Sequence, residues 1–162
     1  MRIFSYDRAA ALSYAQKWSF GRNPAYYNFE RVGGDCTNFA SQCVYAGTKT
    51  MNFTPVYGWY YRSVNDRAPA WTGVEYLYRF LTTNEGAGPF AEEAQPDRLE
   101  PGDLIQLGRE TGDFYHTPVI ISIRQGHIFV AAHTFDAYER PLSSYFFERA
   151  RGIHILGVRK EE

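Results

Sequence analysis

The apolar residues of this chain follow a helical period in its first part and a strand-like one after residue 98. Over residues 6–18, Leu12, Ala15 and Tyr14 or Trp18 recur at helical spacing, Ala9 to Ala11 favour a helix, and Asp7 stands where a cap is needed. The stretch "GRNPAYYNF" then interrupts the pattern. A second helix is predicted to begin near Cys36. Phe39, Ala40, Cys43, Val44 and Gly47 follow in steps of three and four, which sets Cys36 and Cys43 roughly on one apolar stripe and leaves Gly47 as a natural C′ residue. Residues 48–70 show no period and read as a long aromatic loop. A third helix is predicted over residues 71–86, with Thr72 as cap, Glu75 completing a capping box and Gly86 as the stop.

Beyond residue 98, "LEPGDLIQL" reads as a turn feeding a short strand. "HTPVIISI" and "HIFVAAHTF" are β-branched and apolar runs joined by "RQG", which predicts a hairpin, and "GIHILGVRK" is a final strand. Helices first and antiparallel strands later predict an α+β fold. Repeats, charge blocks and low-complexity segments are absent, so residues 1–162 are expected to form a single domain.

Composition narrows the partners. A net charge of −1 gives no electrostatic reason to expect nucleic acid or an anionic membrane. No apolar stretch approaches the roughly 18 residues that span a bilayer, and the first residues are too polar for a signal-peptide core. The chain as written therefore reads as cytoplasmic, or as extracellular or wall-located if a leader has been removed. The aromatic content of 17%, with 13 Tyr and 12 Phe, is high. Such rings pack a core or line a cleft for a peptide or sugar. Trp59 and Trp71, in or beside the aperiodic segment, are the candidates for the second role.

The candidate chemistry centres on "GGDCTNFASQCVYAG", residues 33–47. A cysteine at a helix N-terminus meets about half a positive charge and free N–H groups, which favour a reactive thiolate and can hold an oxyanion. Cys43, seven residues further on, is about 10 Å up the same helix, beyond the roughly 7 Å limit for a disulfide; it reads as core, and Cys36 as the nucleophile candidate. Gly33 and Gly34 leave room for a substrate backbone. Asp35 joins Trp59 and Trp71 as a candidate substrate-binding residue, although its charge opposes a thiolate and suits a tether of the turn.

A nucleophilic cysteine needs a base, and the base an orienting group. Of the four histidines, His127 falls at the hairpin turn and His154 inside an apolar strand. His116 opens the first hairpin strand and His133 closes the second. With the two-residue turn Gln125–Gly126, Pro118 lies opposite His133, so His116 and His133 are predicted to share one face. Asp136 competes with His133 as the orienting group. A zinc site from Cys36, His116 and His133 lacks paired ligand spacing, and no cofactor motif is present.

"YDRAAALSYAQKW", "RNPAYYNF", "GGDCTNFASQCVYAG", "APAWTGVEYLYRFL", "PGDLIQL", "HTPVII" and "HTFDAYERPL", in that order, resemble the putative amidase domain of bacterial, mainly Gram-positive, proteins. That family is similar to the papain-like peptidases and amidases that include the CHAP and NlpC-like wall hydrolases. The resemblance implies a nucleophile helix packed on an antiparallel sheet. It also implies Cys36 as nucleophile, His116 as base and His133 as the third polar residue, with peptidoglycan or a peptide as substrate. A non-catalytic wall- or peptide-binding module of the same fold is the alternative. Pro118 departs from the relatives, and by removing a ladder donor it predicts irregular pairing beside His116.

Overall fold

The computed structural model describes residues 1–162. In chain order the elements are β1 (Arg2–Phe4), α1 (Arg8–Trp18), α2 (Cys36–Thr48), β2 (Tyr61–Ser63), β3 (Asp66–Arg67), α3 (Pro69–Thr72), α4 (Val74–Thr83) and β4 (Gly88–Ala94). There follow β5 (Leu104–Gly108), β6 (Phe114–His116), β7 (Val119–Arg124), β8 (His127–Ala132), β9 (Ala137–Pro141) and β10 (Arg149–Lys160). Eight strands make one curled sheet in the order β1-β10-β5-β7-β8-β9, with β4 also on β10 and β6 also on β5. Every pairing in it is antiparallel. The fold is mixed α+β, as the sequence predicts. None of its helices is long and apolar enough to cross a membrane.

The first helix forms as read: the Asp7 carboxylate accepts the Ala10 N–H at 3.0 Å, and Ala11 and Ala15 face inward. The second is buried almost all round, polar residues included. Burying those side chains is tolerable because most of them find a partner, the Thr48 hydroxyl being the exception. Thr37 Oγ1 meets Thr117 Oγ1 at 3.0 Å, and the Tyr14 hydroxyl donates to Gln42 Oε1 at 2.5 Å. The Ser41 hydroxyl donates to the Trp71 carbonyl.

The third predicted helix is corrected to two. Gly73, with extended backbone, separates α3 from α4. Thr72 accepts a bond from Arg67, and Glu75 pairs with Arg151, so no capping box forms. The aromatic loop is also ordered differently: Asn52 bridges Trp59, and β2–β3 is a small hairpin.

Trp59 and Trp71 are fully buried and stack against each other with centroids 4.6 Å apart. The expectation that they border a cleft is therefore overturned. Their indole N–H groups are used by α2, Trp59 on Ser41 Oγ and Trp71 on Asn38 Oδ1, both at 3.0 Å. An amphipathic ring with one polar atom is suited to this inner wall, where it packs and also satisfies a buried acceptor.

The hairpin contains a bulge that the sequence does not announce. Near the turn, Arg124 pairs with His127 and Ser122 with Phe129, as the two-residue turn requires. Past Ile121 the register slips by one, to Ile120 with Val130 and Val119 with Ala131. Continuing that register sets Thr117, not Pro118, opposite His133. A slip of one residue exchanges the faces. Thr117 and His133 point to the helices, while His116 points to the other side, against Tyr145. Pro118 has its expected effect: Ile105 N–H donates to its carbonyl at 3.1 Å, no bond returns, and β6 and β7 are separate strands.

Candidate active site

Two glycines with positive φ, Gly33 at 84° and Gly34 at 93°, lead into the start of α2. Any side chain at Gly34 would press on Thr134 Oγ1, 3.3 Å from where its Cβ would lie. The Asp35 N–H donates to that same Thr134 oxygen at 2.9 Å. The Asp35 side chain turns inward and is wholly buried. Its Oδ1 accepts from the Phe29 N–H and the Asn38 amide, both at 2.9 Å, and its Oδ2 from His133 Nδ1 at 2.5 Å. Asp35 thus tethers the turn and is removed from the candidates for substrate contact.

Cys36, at the first position of α2, lines a cleft of about 410 Å³ together with His116, Tyr115, Phe135, Arg140 and Tyr145. Its sulfur lies 3.7 Å from Thr37 Oγ1 and 4.0 Å from the Tyr115 carbonyl. Burial pushes the thiol above its ordinary value, and the Asp35 charge adds to this; bonds from the Thr117 and Thr37 N–H groups work in the other direction and are outweighed. His116 is held down to about 4, by burial first and by the Arg140 charge second. Both shifts favour the uncharged forms of the two groups, and both groups line the same cleft. Cys43, by contrast, lies in the closed core with no exposure and no cleft.

His133 does not face His116. Both its ring nitrogens meet acceptors: Nδ1 the Asp35 carboxylate, and Nε2 the Trp18 carbonyl at 2.7 Å. Both ring nitrogens are thus taken up by structural partners, and neither is left to orient another side chain. It stacks on Phe39 with centroids 4.0 Å apart and is 1% exposed. Asp136 is no substitute orienting group, since Arg22 holds it at 2.9 and 3.0 Å. Arg22 also takes Glu30 at 3.0 Å and approaches Asp35 at 3.4 Å, so one arginine joins the two loops that flank the cleft. His116 itself is left with an aromatic neighbour, Tyr145, and no protein hydrogen-bond partner. The zinc reading has lost one of its three ligands to Asp35 in the same way.

The other histidines have structural or solvent surroundings. His127 is exposed, and His154 Nδ1 bonds the buried Asp103 carboxylate at 2.7 Å. Five cleft residues, Tyr115, Thr134, Phe135, Arg140 and Tyr145, are not among the sequence-predicted candidates. Arg140 lies in the segment "HTFDAYERPL" and Tyr145 just beyond it, and nothing in their spacing marks them as cleft residues.

A buried cysteine opening a helix and a histidine on the adjoining sheet thus share one cleft. The chain belongs to the family described as a putative amidase domain, whose model matches residues 5–156; that membership supports an amidase-type hydrolase. The uncharacterized protein YhbB of Bacillus subtilis (strain 168) is 34% identical over 143 residues, which cover 86% of this chain and 45% of that protein. The chain thus spans less than half the length of that relative. No solved structure matches it.

Proposed function

We propose that residues 1–162 form one papain-like amidase domain, akin to the CHAP and NlpC-like hydrolases, in which Cys36 and His116 act as a dyad on an amide of peptidoglycan or a peptide. The carrying observation is that the one cysteine at a helix start and the one buried histidine with no hydrogen-bonded ring nitrogen line the same cleft. As the sulfur attacks the amide carbon, the thiol proton passes to His116. The oxyanion that forms lies toward the N–H groups at the start of α2. Collapse breaks the C–N bond, and His116 gives its proton to the leaving amine. Water then attacks the thioester, with His116 taking a proton, and the carboxylic acid leaves as the thiol is restored.

A neutral His116 is the form that accepts a proton, and its lack of a carboxylate partner suits a base of modest strength. His133 and Asp35 contribute by holding the turn rather than by touching the base. The test is incubation with peptidoglycan and with model peptides, followed by mass-spectrometric identification of new amino and carboxyl ends. New ends are expected with the native chain and with Cys43→Ala, and none with Cys36→Ala. Ends produced equally by Cys36→Ala would refute the mechanism, and none from any substrate would leave the binding module as the better account.

A further inference from the structure

We propose that the cleft selects amide substrates bearing a carboxylate beside the scissile bond, and that Arg140 is the residue that binds it. The inference rests on the amidase reading for the bond that is cut, and on Arg140 and its surroundings for the carboxylate. The residues lining the cleft include no acid, and Arg140 is the only one with a permanent charge. Arg22, Arg109 and Arg151 each hold a carboxylate at 2.7–3.0 Å, whereas Arg140 holds none.

Its pose is fixed by neutral groups instead. Nε donates to Ser144 Oγ at 2.8 Å and Nη2 to the Ser144 carbonyl at 3.2 Å, while the guanidinium carbon stands 3.6 Å over the Tyr145 ring. These contacts orient the planar fork and leave Nη1 without a protein partner. A half-buried guanidinium stacked on Tyr145, with no counter-charge, matches a carboxylate in shape and sign. Tyr145, whose buried hydroxyl has no hydrogen-bond partner, stands in the same wall.

The arrangement links recognition to chemistry. Arg140 is one of the two causes that make His116 a weak base. A carboxylate seated on Arg140 offsets that charge, so His116 becomes a better proton acceptor once a matching substrate is bound. A substrate without the carboxylate meets the weaker base.

Two small alkylating agents test the binding without any need for turnover. Iodoacetate carries the carboxylate and iodoacetamide does not, and glutathione provides the reference ratio of their rates. At Cys36, followed by peptide mapping, iodoacetate is expected to be favoured about ten- to a hundredfold over that reference, the range of a charge-assisted hydrogen bond. Arg140→Gln should bring the ratio to the reference or below, and Arg140→Lys should keep part of the preference. Removing Arg140 also makes His116 easier to protonate, which would favour the anion, so a loss of preference is due to Arg140 itself. An unselective native chain, or a preference that persists in Arg140→Gln, overturns the proposal. Labelling of Cys36 by neither reagent overturns it together with the amidase reading. In turnover, peptides with a free carboxylate should be cleaved about tenfold or more faster than their carboxamides, again through Arg140; equal cleavage of both overturns the proposal. Selective alkylation without turnover on any substrate would support the carboxylate site and reject the amidase reading alone.

Discussion

Replacing His133 separates a structural tether from a catalytic orienting group. His133→Gln keeps one hydrogen-bond donor but removes the second ring nitrogen and the ring stacked on Phe39. The bond to Asp35 is charge-assisted, worth about 1.5–3 kcal/mol, and the bond to the Trp18 carbonyl adds about 1 kcal/mol. Breaking a buried pair outright costs about 3–5 kcal/mol. Here Asp35 keeps Asn38, the Phe29 N–H and, at 3.4 Å, Arg22, which places the expected loss near the lower end. A drop of about 3 kcal/mol should therefore appear in urea unfolding as a lower midpoint at constant slope. The Asp35→Asn and His133→Gln cycle should show a coupling of about 2 kcal/mol. Burial raises the Asp35 carboxyl, but bonds from His133, Asn38 and Phe29 outweigh it and hold the group below its ordinary value. The sign follows: this stabilisation is present above the ordinary carboxylate value near 3.9 and is lost as the pH falls through the depressed one. Asp35→Asn should flatten that acid limb of stability. A hundredfold loss of turnover at unchanged stability, or a coupling near zero, would refute the structural reading of His133.

Two further outcomes follow from the same geometry. Trp59→Ala should cost about 3–5 kcal/mol in thermal or urea unfolding with little change in substrate KM, because Trp59 is fully buried and bonded to Ser41; a raised KM at unchanged stability would return it to the cleft. The acid limb of kcat/KM should lie near pH 4, where His116 gains a proton, and move upward in Arg140→Gln; a native limb between 6 and 7 would refute the depressed base.

Local signals carried much of the fold. Asp7 capping α1, the helix opening at Cys36 and the turn at Gln125–Gly126 each depend on neighbours a few residues away, and each is present. The elements that were missed depend on distant partners. β1 and β4 exist because β10 offers them edges, and β9 because β8 does. Their own residues have little periodicity. The capping box at Thr72 failed for a related reason: Arg67 and Arg151 claimed its two side chains. At the site, Cys36 and His116 were legible from type and position, while Arg140 and Tyr145 reach the cleft only through the path of the chain after β8.

The bulge at Ile121 explains why sequence spacing led to a Cys–His–His triad and the structure to a different division of labour. An unbroken register would have brought His133 to the face of His116 and left Asp35 with a buried charge short of its strongest partner. With the slip, His133 turns to the helices and meets Asp35, and the two loops that bound the cleft are fixed from behind. The Asp35 carboxylate is then bound by His133 and Asn38, and burial with the nearby Arg140 charge acts on His116. A carboxylate seated on Arg140 would offset the second cause of that depression, after burial. That offset links a histidine without a carboxylate partner to the unpaired guanidinium that lines the same cleft.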